Sequence, residues 1–399
     1  MKAKMLIPCI CLIFLLSGCW NSRELNEIGI AVGMGIDKTE GDQVLVTVQL
    51  VNPAEISTKQ SGGARAPIVT YQERGDTVFE ALRRMTKTVP RKIFFPHLRM
   101  LVIGDGVAKE GISTYLDLLE RDQEFRPDFY VVIARDLEAQ EILKLLVPVE
   151  KITAQNLFSK LETSAQVWAP TVALKFGKLL DELTSEGKQP VISGVRIKGD
   201  EEQGELMEHL QSADPATRLQ YTDLAVFKED QLQGWLNESE SKGYNYIMGN
   251  VKSTIVNVPC EDTKGDVSVE LLRTHTEMRS VVKKGEPSIN LKLQVSGNVG
   301  EVECPINLQK AETIHKLEKQ VEKDVIKQMK NATKKAKDDF QLDIFGFGDA
   351  FHRQNPTYWR KEKSNWDQIF VELPITFQVE ARIYQTGRRS NSFINNIKE

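Results

Sequence analysis

The sequence lacks the features that mark membrane-spanning and nucleic-acid-binding proteins. After the first nineteen residues, no apolar run approaches the roughly 20 residues that a membrane-spanning helix needs. The formal net charge is only -4 and both signs are mixed along the chain, which excludes nucleic acid as a partner. Hydrophobic residues make up 41% and charged residues 27%, so the rest of the chain can fold into domains with buried cores.

Motifs for catalysis and for metal binding are missing as well. There is no G-x-S-x-G nucleophile elbow, and the five histidines stand apart from one another and from zinc-spaced cysteines. The run from Ser239 to Lys242 matches S-x-x-K without its companion motifs, and Gly33-Met34-Gly35 lacks the third glycine of a dinucleotide site. The aspartates between Asp338 and Asp349 do not have EF-hand spacing. We therefore predict no enzyme, no bound metal and no cofactor.

The first nineteen residues have the pattern of an export signal. Lys2 and Lys4 precede an apolar run that ends in Leu16-Ser17-Gly18-Cys19, which is typical of an export signal. With its cysteine this sequence resembles a bacterial lipobox, where the thiol is diacylglycerated and becomes residue one. A plain signal with an accidental cysteine is the alternative. The pattern predicts a signal peptide over residues 1–18 and lipidation of Cys19, which would hold the mature protein on a membrane surface.

Cysteine is scarce, with five in the chain, of which Cys9 and Cys11 would leave with the signal. Cys260 and Cys304 remain. A disulfide between them would contribute on the order of 4 kcal/mol in the chain-entropy model, and an exported protein can keep it. The strands that end near each cysteine are expected to be separated by one intervening strand. This spacing of roughly 10 Å exceeds disulfide reach and argues against the pairing. Because export favours a disulfide and the strand order disfavours it, the sequence leaves the pairing open.

Hydrophobic periodicity divides the rest of the chain. Residues 19–188 begin with two alternating strands, from Ile28 and from Val44, and continue as alternating strands and helices, which predicts an N-terminal α+β domain with a mixed sheet. Residues 189–242 are expected to form a small middle domain or connector, with a helix over 230–239.

Residues 243–399 contain long alternating strands and one long amphipathic helix. Ile314, Leu317, Val321, Val325 and Met329 recur at three- and four-residue spacing within a predicted helix over 311–337. We predict a C-terminal α+β domain in which this helix covers one face of an antiparallel sheet, and hence a multidomain α+β chain of three domains with mixed and antiparallel sheets.

Several stretches, read together, resemble one family, the Ger(x)C lipoproteins that form the C subunits of nutrient germinant receptors in endospore-forming bacteria. The matching stretches lie at the beginning, the middle and the end of the chain. They are Gly18-Cys19-Trp20-Asn21-Ser22-Arg23-Glu24-Leu25 with Gly33-Met34-Gly35-Ile36-Asp37, Pro96-His97-Leu98 with Ile103-Gly104, Ala108 to Ile112 and Leu119 to Arg126, and Asp343-Ile344-Phe345-Gly346-Phe347-Gly348 with Trp359, Trp366 and Thr386-Gly387.

The resemblance implies a non-enzymatic lipoprotein on the outer face of the spore's inner membrane, anchored through Cys19. It also implies assembly with two integral-membrane subunits, A and B, into a receptor that triggers germination. Within this reading we expect a scaffold or coupling subunit. Two other classes stay open, a lipid-anchored solute-binding protein that delivers a small molecule to a membrane partner, and a cell-wall enzyme, which the missing catalytic motifs disfavour.

Most of the motif residues are expected to determine the fold. The motif glycines would serve backbone conformations closed to other residues, and Trp359 and Trp366 would lie in the core. The charged residues of the middle motif are expected to form an internal charge network. They are Arg121, Asp122, Glu124 and Arg126.

Overall fold

The computed structural model describes residues 27–41, 43–52, 66–260 and 263–385. Its strands are β1 (Ile28–Lys38), β2 (Val44–Val51), β3 (Ile68–Gly75), β4 (Lys92–Phe94), β5 (Met100–Ile103), β6 (Tyr130–Ala134), β7 (Val191–Gly199), β8 (Thr217–Lys228), β9 (Gln231–Leu236), β10 (Thr254–Pro259), β11 (Asp266–Lys283), β12 (Glu286–Val302) and β13 (Ile375–Gln385). Its helices are α1 (Val78–Arg84), α2 (Asp105–Glu110), α3 (Ser113–Arg121), α4 (Ala139–Lys144), α5 (Thr153–Val167), α6 (Phe176–Leu183), α7 (Glu201–Gly204), α8 (Glu238–Met248), α9 (Ala311–Lys335), α10 (Phe347–Gln354), α11 (Pro356–Glu362) and α12 (Trp366–Glu372). The predicted α+β class is confirmed.

Nine of the described strands form one mixed sheet in the order β3-β2-β1-β5-β6-β7-β8-β9, and β4 pairs with the start of β1. The centre of this sheet, from β1 through β5 and β6 to β7, is parallel. Helices α1, α2, α3 and α6 pack on one face, and α4 and α5 pack on the other. Because parallel neighbours need crossover connections, this is the mixed sheet that the alternation of strands and helices predicts.

The first hairpin has the predicted form, since β1 and β2 pair antiparallel. The glycine face of β1 lies against α4 and α5. A Cβ built on Gly33 would approach Ala154 and Leu143 to 3.0 Å, and one on Gly35 would approach Ala139 to 3.0 Å. Glycine at these two positions therefore lets two helices pack closely on the strand.

Residues 189–242, expected to form a middle domain or connector, contribute β7, β8 and β9 to the nine-stranded sheet. The predicted helix over 230–239 is wrong. Residues 231–236 form an edge strand antiparallel to β8, in which Trp235 packs its ring against Gly194 and under the Arg135 guanidinium. The helix begins later, at α8, where Asn237 and Glu240 form a capping box.

The C-terminal sheet has the order β10-β11-β12-β13 and is packed against α9, as predicted. Leu317, Val321, Val325 and Met329 of α9 are buried. The expectation that every pairing is antiparallel is wrong, because β12 and β13 are parallel. The crossover through α9 and the short helices α10 to α12 returns the chain to the same end of the sheet, which makes the last strand parallel to β12.

Cys260 and Cys304 are joined by a disulfide, with their Cα atoms 6.6 Å apart. The expected separation of about 10 Å assumed that β11 lies between the two cysteines. Instead both cysteines lie beyond the first residue of β11, where the Cys260 amide donates to the Gly265 carbonyl and the Glu303 amide donates to Asp266. The two chain ends therefore meet across the end of the intervening strand.

Candidate functional site

A buried charge pair lies where the N-terminal half of the molecule meets the C-terminal half, with the Lys188 side chain beside Gly346. The Lys188 ammonium lies 2.5 Å from the Glu182 carboxylate, and both side chains are less than 10% exposed. Burial opposes the charge on Lys188, but Tyr244 of α8 and Glu182 outweigh it and raise the pKa of the lysine. Burial in turn raises the pKa of Tyr244 to about 12. Lys188 pairs with Glu182 Oε1, which offsets part of the cost of burying both charges, while Glu182 Oε2 has no hydrogen-bond partner among the described residues.

The loop from Asp343 to Gly348 forms the other half of this junction. The Asp343 carboxylate accepts hydrogen bonds from the amides of Phe345 and Gly348 at 3.0 and 2.8 Å and from the Trp366 indole at 3.0 Å. Burial raises its pKa to about 6, although these hydrogen bonds favour the carboxylate. The loop packs so closely on Gly187 that a Cβ there would lie 2.5 Å from the Asp349 amide. We call this contact the junction. It comprises residues 182–189, Tyr244, residues 343–349 and Trp366.

Asp37 plays a similar part inside the N-terminal sheet. It ends the glycine-rich motif of β1, and its carboxylate accepts from the amides of Ala139 and Gln140 at the start of α4, at 2.6 and 3.0 Å. Burial raises the pKa of Asp37 to about 6, and the two amides oppose this. A carboxylate at a helix N-terminus satisfies donors that the helix itself cannot.

The other motif residues also have structural positions. Trp359 and Trp366 are buried, with ring centroids 5.4 Å apart in an edge-to-face arrangement, as expected for core residues. The expected internal charge network is wrong. Arg121 pairs with Asp117 on the exposed side of α3, and Glu124 pairs with Lys92. These are surface ion pairs, which contribute little to stability.

A cavity of about 790 Å³ opens on the face of the nine-stranded sheet that α4 and α5 cover, between α5 and the first half of β8. Its apolar wall includes Val147, Leu219 and Trp168, and its polar wall is the face of α5 that carries Asn156 and Lys160. Val149 at the rim is 90% exposed. A concave site with apolar walls and a few convergent polar groups is the usual form of a small-molecule site.

Two acceptors in this cavity are buried without a partner in the part of the chain that the structure describes. They are Asn156 Oδ1 and Glu150 Oε2. Lys160 does not reach them, since its ammonium donates to the Leu219 carbonyl at 3.0 Å. Burial lowers the pKa of Lys160, and Glu150 partly offsets this effect. Because buried acceptors without donors are costly, a ligand with N–H or O–H groups would be stabilised here. No sequence motif indicated this site, whose residues are spread from 147 to 221.

Metal ligands do not converge anywhere in the described ranges, where no group of three or more His, Cys, Asp or Glu side chains could hold an ion. No helix in those ranges is both long and apolar enough to cross a bilayer. The predicted signal peptide and Cys19, with the motif residues up to Leu25, lie outside the described residues, as does Thr386-Gly387.

Two protein-family models match the chain. The model described as the spore germination protein N-terminal domain matches residues 21–197. The model described as spore germination B3/GerAC like, C-terminal, matches residues 222–387. Together they take in both sheets and both sides of the junction.

Relatives match over nearly the whole length. Spore germination protein KC of Bacillus subtilis (strain 168) is 33% identical over 393 residues, which cover 97% of this chain and 96% of the relative. Spore germination protein B3 of the same organism is 22% identical, with 94% and 96% covered. The crystal structure of the GerBC protein superposes with a TM-score of 0.57 over 88% of this chain and 96% of that chain, at 19% identity. That structure has the same fold.

Proposed function

The chain belongs to the GerAC-like family of spore germination proteins, and on this premise we propose that it is the lipid-anchored C subunit of a spore nutrient germinant receptor. It acts without enzymatic chemistry, together with two integral-membrane subunits, A and B. Its place is the outer face of the spore's inner membrane, where Cys19 carries the lipid.

The observation that carries the proposal is similarity to a spore germination protein over 97% of the chain. The lipobox-like sequence before Cys19 adds an anchor to a chain whose described helices do not span a membrane. The motif residues Asp37 and Asp343 hold helices and loops together, which suits a scaffold rather than a catalyst.

The test is co-purification from spore membranes with the Cys19→Ala variant. Wild type should sediment with membranes and bring down two multi-span proteins, and spores that carry Cys19→Ala should lose both the association and the nutrient response. Cys11→Ala is the matched control, because it removes a thiol from the same stretch and leaves the predicted acylation site intact. A wild-type protein that is soluble would contradict the proposal. Normal germination of spores that carry Cys19→Ala would contradict it as well.

A second candidate function is favoured by the cavity between α5 and β8. It would make the subunit a binding protein for a small molecule that donates N–H groups to Glu150 and Asn156 and packs on Trp168. A ligand that binds only the folded state raises the melting temperature. A small aliphatic amine should therefore raise the melting temperature more than the alcohol of equal chain length does, because its charged N–H group bonds the Glu150 carboxylate more strongly, and Glu150→Gln should abolish the difference. Equal shifts for both compounds would contradict this function.

A further inference from the structure

The segment between residues 81 and 104 has an unusual charge composition. It contains six basic residues and no Asp or Glu, in a chain whose net charge is -4. The basic residues are Arg83, Arg84, Lys87, Arg91, Lys92 and Arg99. In the structure this segment runs from α1 through a short turn to β4 and β5.

This segment lies beside the point at which the described chain begins. The Lys92 amide donates to the Glu27 carbonyl at 3.0 Å, and β4 pairs in parallel with the first residues of β1. A Cβ on Gly29 would lie 3.9 Å from the Arg91 Cβ. Arg83 of α1 and Lys92 of β4 line the same small depression of about 70 Å³. Arg83, Arg91 and Lys92 therefore lie near the end of the sheet at which β1 starts.

Two of the six basic residues are neutralised by acidic neighbours, and Arg99 lies apart from the others, over the ring of Phe158 in α5. Arg84 pairs with Glu80, and Lys92 pairs with Glu124. Arg83, Lys87 and Arg91 are exposed and form no ion pair with any described residue. We call these three residues the basic edge.

An aromatic ring lies within the same surface. The Arg83 guanidinium lies 4.8 Å above the ring of Phe79, whose side chain is 45% exposed. An exposed ring beside a cation suits an interface between water and an apolar phase.

The anchor would hold this edge close to lipid headgroups. Cys19 precedes Glu27 by eight residues, which can span at most about 28 Å when fully extended. Attraction between exposed charges and an anionic surface extends over roughly a Debye length, about 8 Å in physiological salt. A tether of this length allows the basic edge to come within that distance of the headgroups.

We propose that the basic edge docks on the anionic phospholipid surface of the membrane to which Cys19 is anchored, and thereby sets the orientation of the subunit. This proposal rests on the lipid anchor of the proposed function. Each Lys or Arg near an anionic surface strengthens binding roughly fivefold, so three of them change affinity by roughly a hundredfold.

The experiment separates the edge from the anchor by using a chain without lipid. Residues 20–399 contain every described element, and this chain is sedimented with vesicles of phosphatidylcholine alone or with phosphatidylglycerol added. The variant Arg83→Glu, Lys87→Glu, Arg91→Glu tests the edge. The matched control is Lys323→Glu, Lys327→Glu, Lys330→Glu, which makes the same change in charge on the exposed side of α9.

The expected result is salt-sensitive binding to the anionic vesicles only, a loss of roughly a hundredfold or more in the edge variant and a much smaller loss in the α9 control. Absence of binding by wild type, binding to neutral vesicles as well, or equal losses in the two variants would overturn the proposal. Thermal unfolding of both variants shows whether they are folded. Because this chain lacks Cys19, a negative result with vesicles does not bear on the proposed lipid anchor. Likewise, normal germination of Cys19→Ala spores would contradict the anchor and would not bear on vesicle binding.

Discussion

The junction and the cavity between α5 and β8 both place charged and polar groups where water is scarce, but they do so in opposite ways. At the junction, Lys188 is paired with Glu182, and Asp343 accepts three hydrogen bonds from groups that a loop and α12 bring to it. In the cavity, Asn156 and Glu150 each keep an acceptor without a described partner. Apart from Glu182 Oε2, which has no hydrogen-bond partner among the described residues, the junction pairs its buried groups with one another, whereas the two cavity acceptors need a donor from outside.

This difference separates structural polar groups from groups available for binding. A buried polar group whose hydrogen bonds are made fixes one arrangement of its neighbours, and here Asp343 fixes the loop that packs on Gly187. A buried acceptor that is not satisfied costs stability in the free protein and can recover that cost from a ligand. Substitutions in the two regions should therefore have unequal effects on the free energy of unfolding.

The largest effect is expected from Lys188→Met. It removes the partner of Glu182 and leaves a carboxylate buried without compensation, which typically costs about 3–5 kcal/mol. Chemical denaturation at pH 7 measures the change. The double variant Lys188→Met, Glu182→Leu should recover much of the loss, because no charge then remains buried. Arg121→Ala, in an exposed pair, is the control and should leave stability nearly unchanged. A Lys188→Met protein as stable as this control would contradict the assignment.

A smaller loss, of about 2–4 kcal/mol, is expected from Asp343→Ala. The indole of Trp366 and the amides of Phe345 and Gly348 would lose their acceptor, at about 1–3 kcal/mol for each buried donor, but the variant also removes the cost of burying the Asp343 carboxylate, so the net loss is smaller than the sum. The near-ultraviolet circular dichroism of the tryptophans should change with it. Trp366→Phe removes only the indole donor and should cost less. If Asp343→Ala and Trp366→Phe are equally stable, the backbone contacts of Asp343 are not what hold the loop.

Local pattern was enough to predict the elements whose faces are set by their own sequence. The β1–β2 hairpin and α9 follow directly from their two-residue and three-to-four-residue periods, because one side of each is buried throughout. The close approach of helices to Gly33 and Gly35 was also foreseeable, since a strand with glycine on one face has room there.

What could not be predicted depends on distant partners. Residues 231–236 were predicted to be part of a helix. They form a strand because they pair with β8 and because Trp235 packs against Gly194. Asp37 meets α4 more than a hundred residues away, and the cavity forms only where α5 and the loop before it meet β8, about sixty residues further along the chain. Long-range pairing of this kind leaves no period in the sequence, so neither the junction nor the cavity was visible in it.

The pH dependence of the free energy of unfolding tests the burial of Asp343 and Asp37. Burial raises the pKa of Asp343 and of Asp37 to about 6, above the ordinary value of 3.8. Between these values the folded state binds more protons than the unfolded state, so the free energy of unfolding should rise as the pH falls from 7 to 5. The expected gain is about 1 kcal/mol per group. Denaturation at the two pH values measures it, and Asp343→Asn should remove about half of the pH dependence. Stability that falls over this range would contradict it.

The smallest change in stability is expected in the cavity, from Asn156→Leu. The amide oxygen of Asn156 has no described partner, so its loss removes an unsatisfied group, and leucine is the better helix former. The change should be within about 0.5 kcal/mol of zero or stabilising.

Gln49 provides the matched comparison, because it is a buried amide on the same side of the sheet with both ends bonded. Its nitrogen donates to the Leu143 carbonyl at 2.7 Å, and its oxygen accepts from the Ala154 amide at 3.0 Å. Gln49→Leu leaves both partners buried and should cost about 2 kcal/mol or more. If Asn156→Leu costs as much as Gln49→Leu, the amide of Asn156 is satisfied in solution, and the cavity then belongs with the junction as a structural feature. If only Gln49→Leu is costly, the cavity retains an unmet acceptor that a ligand can fill.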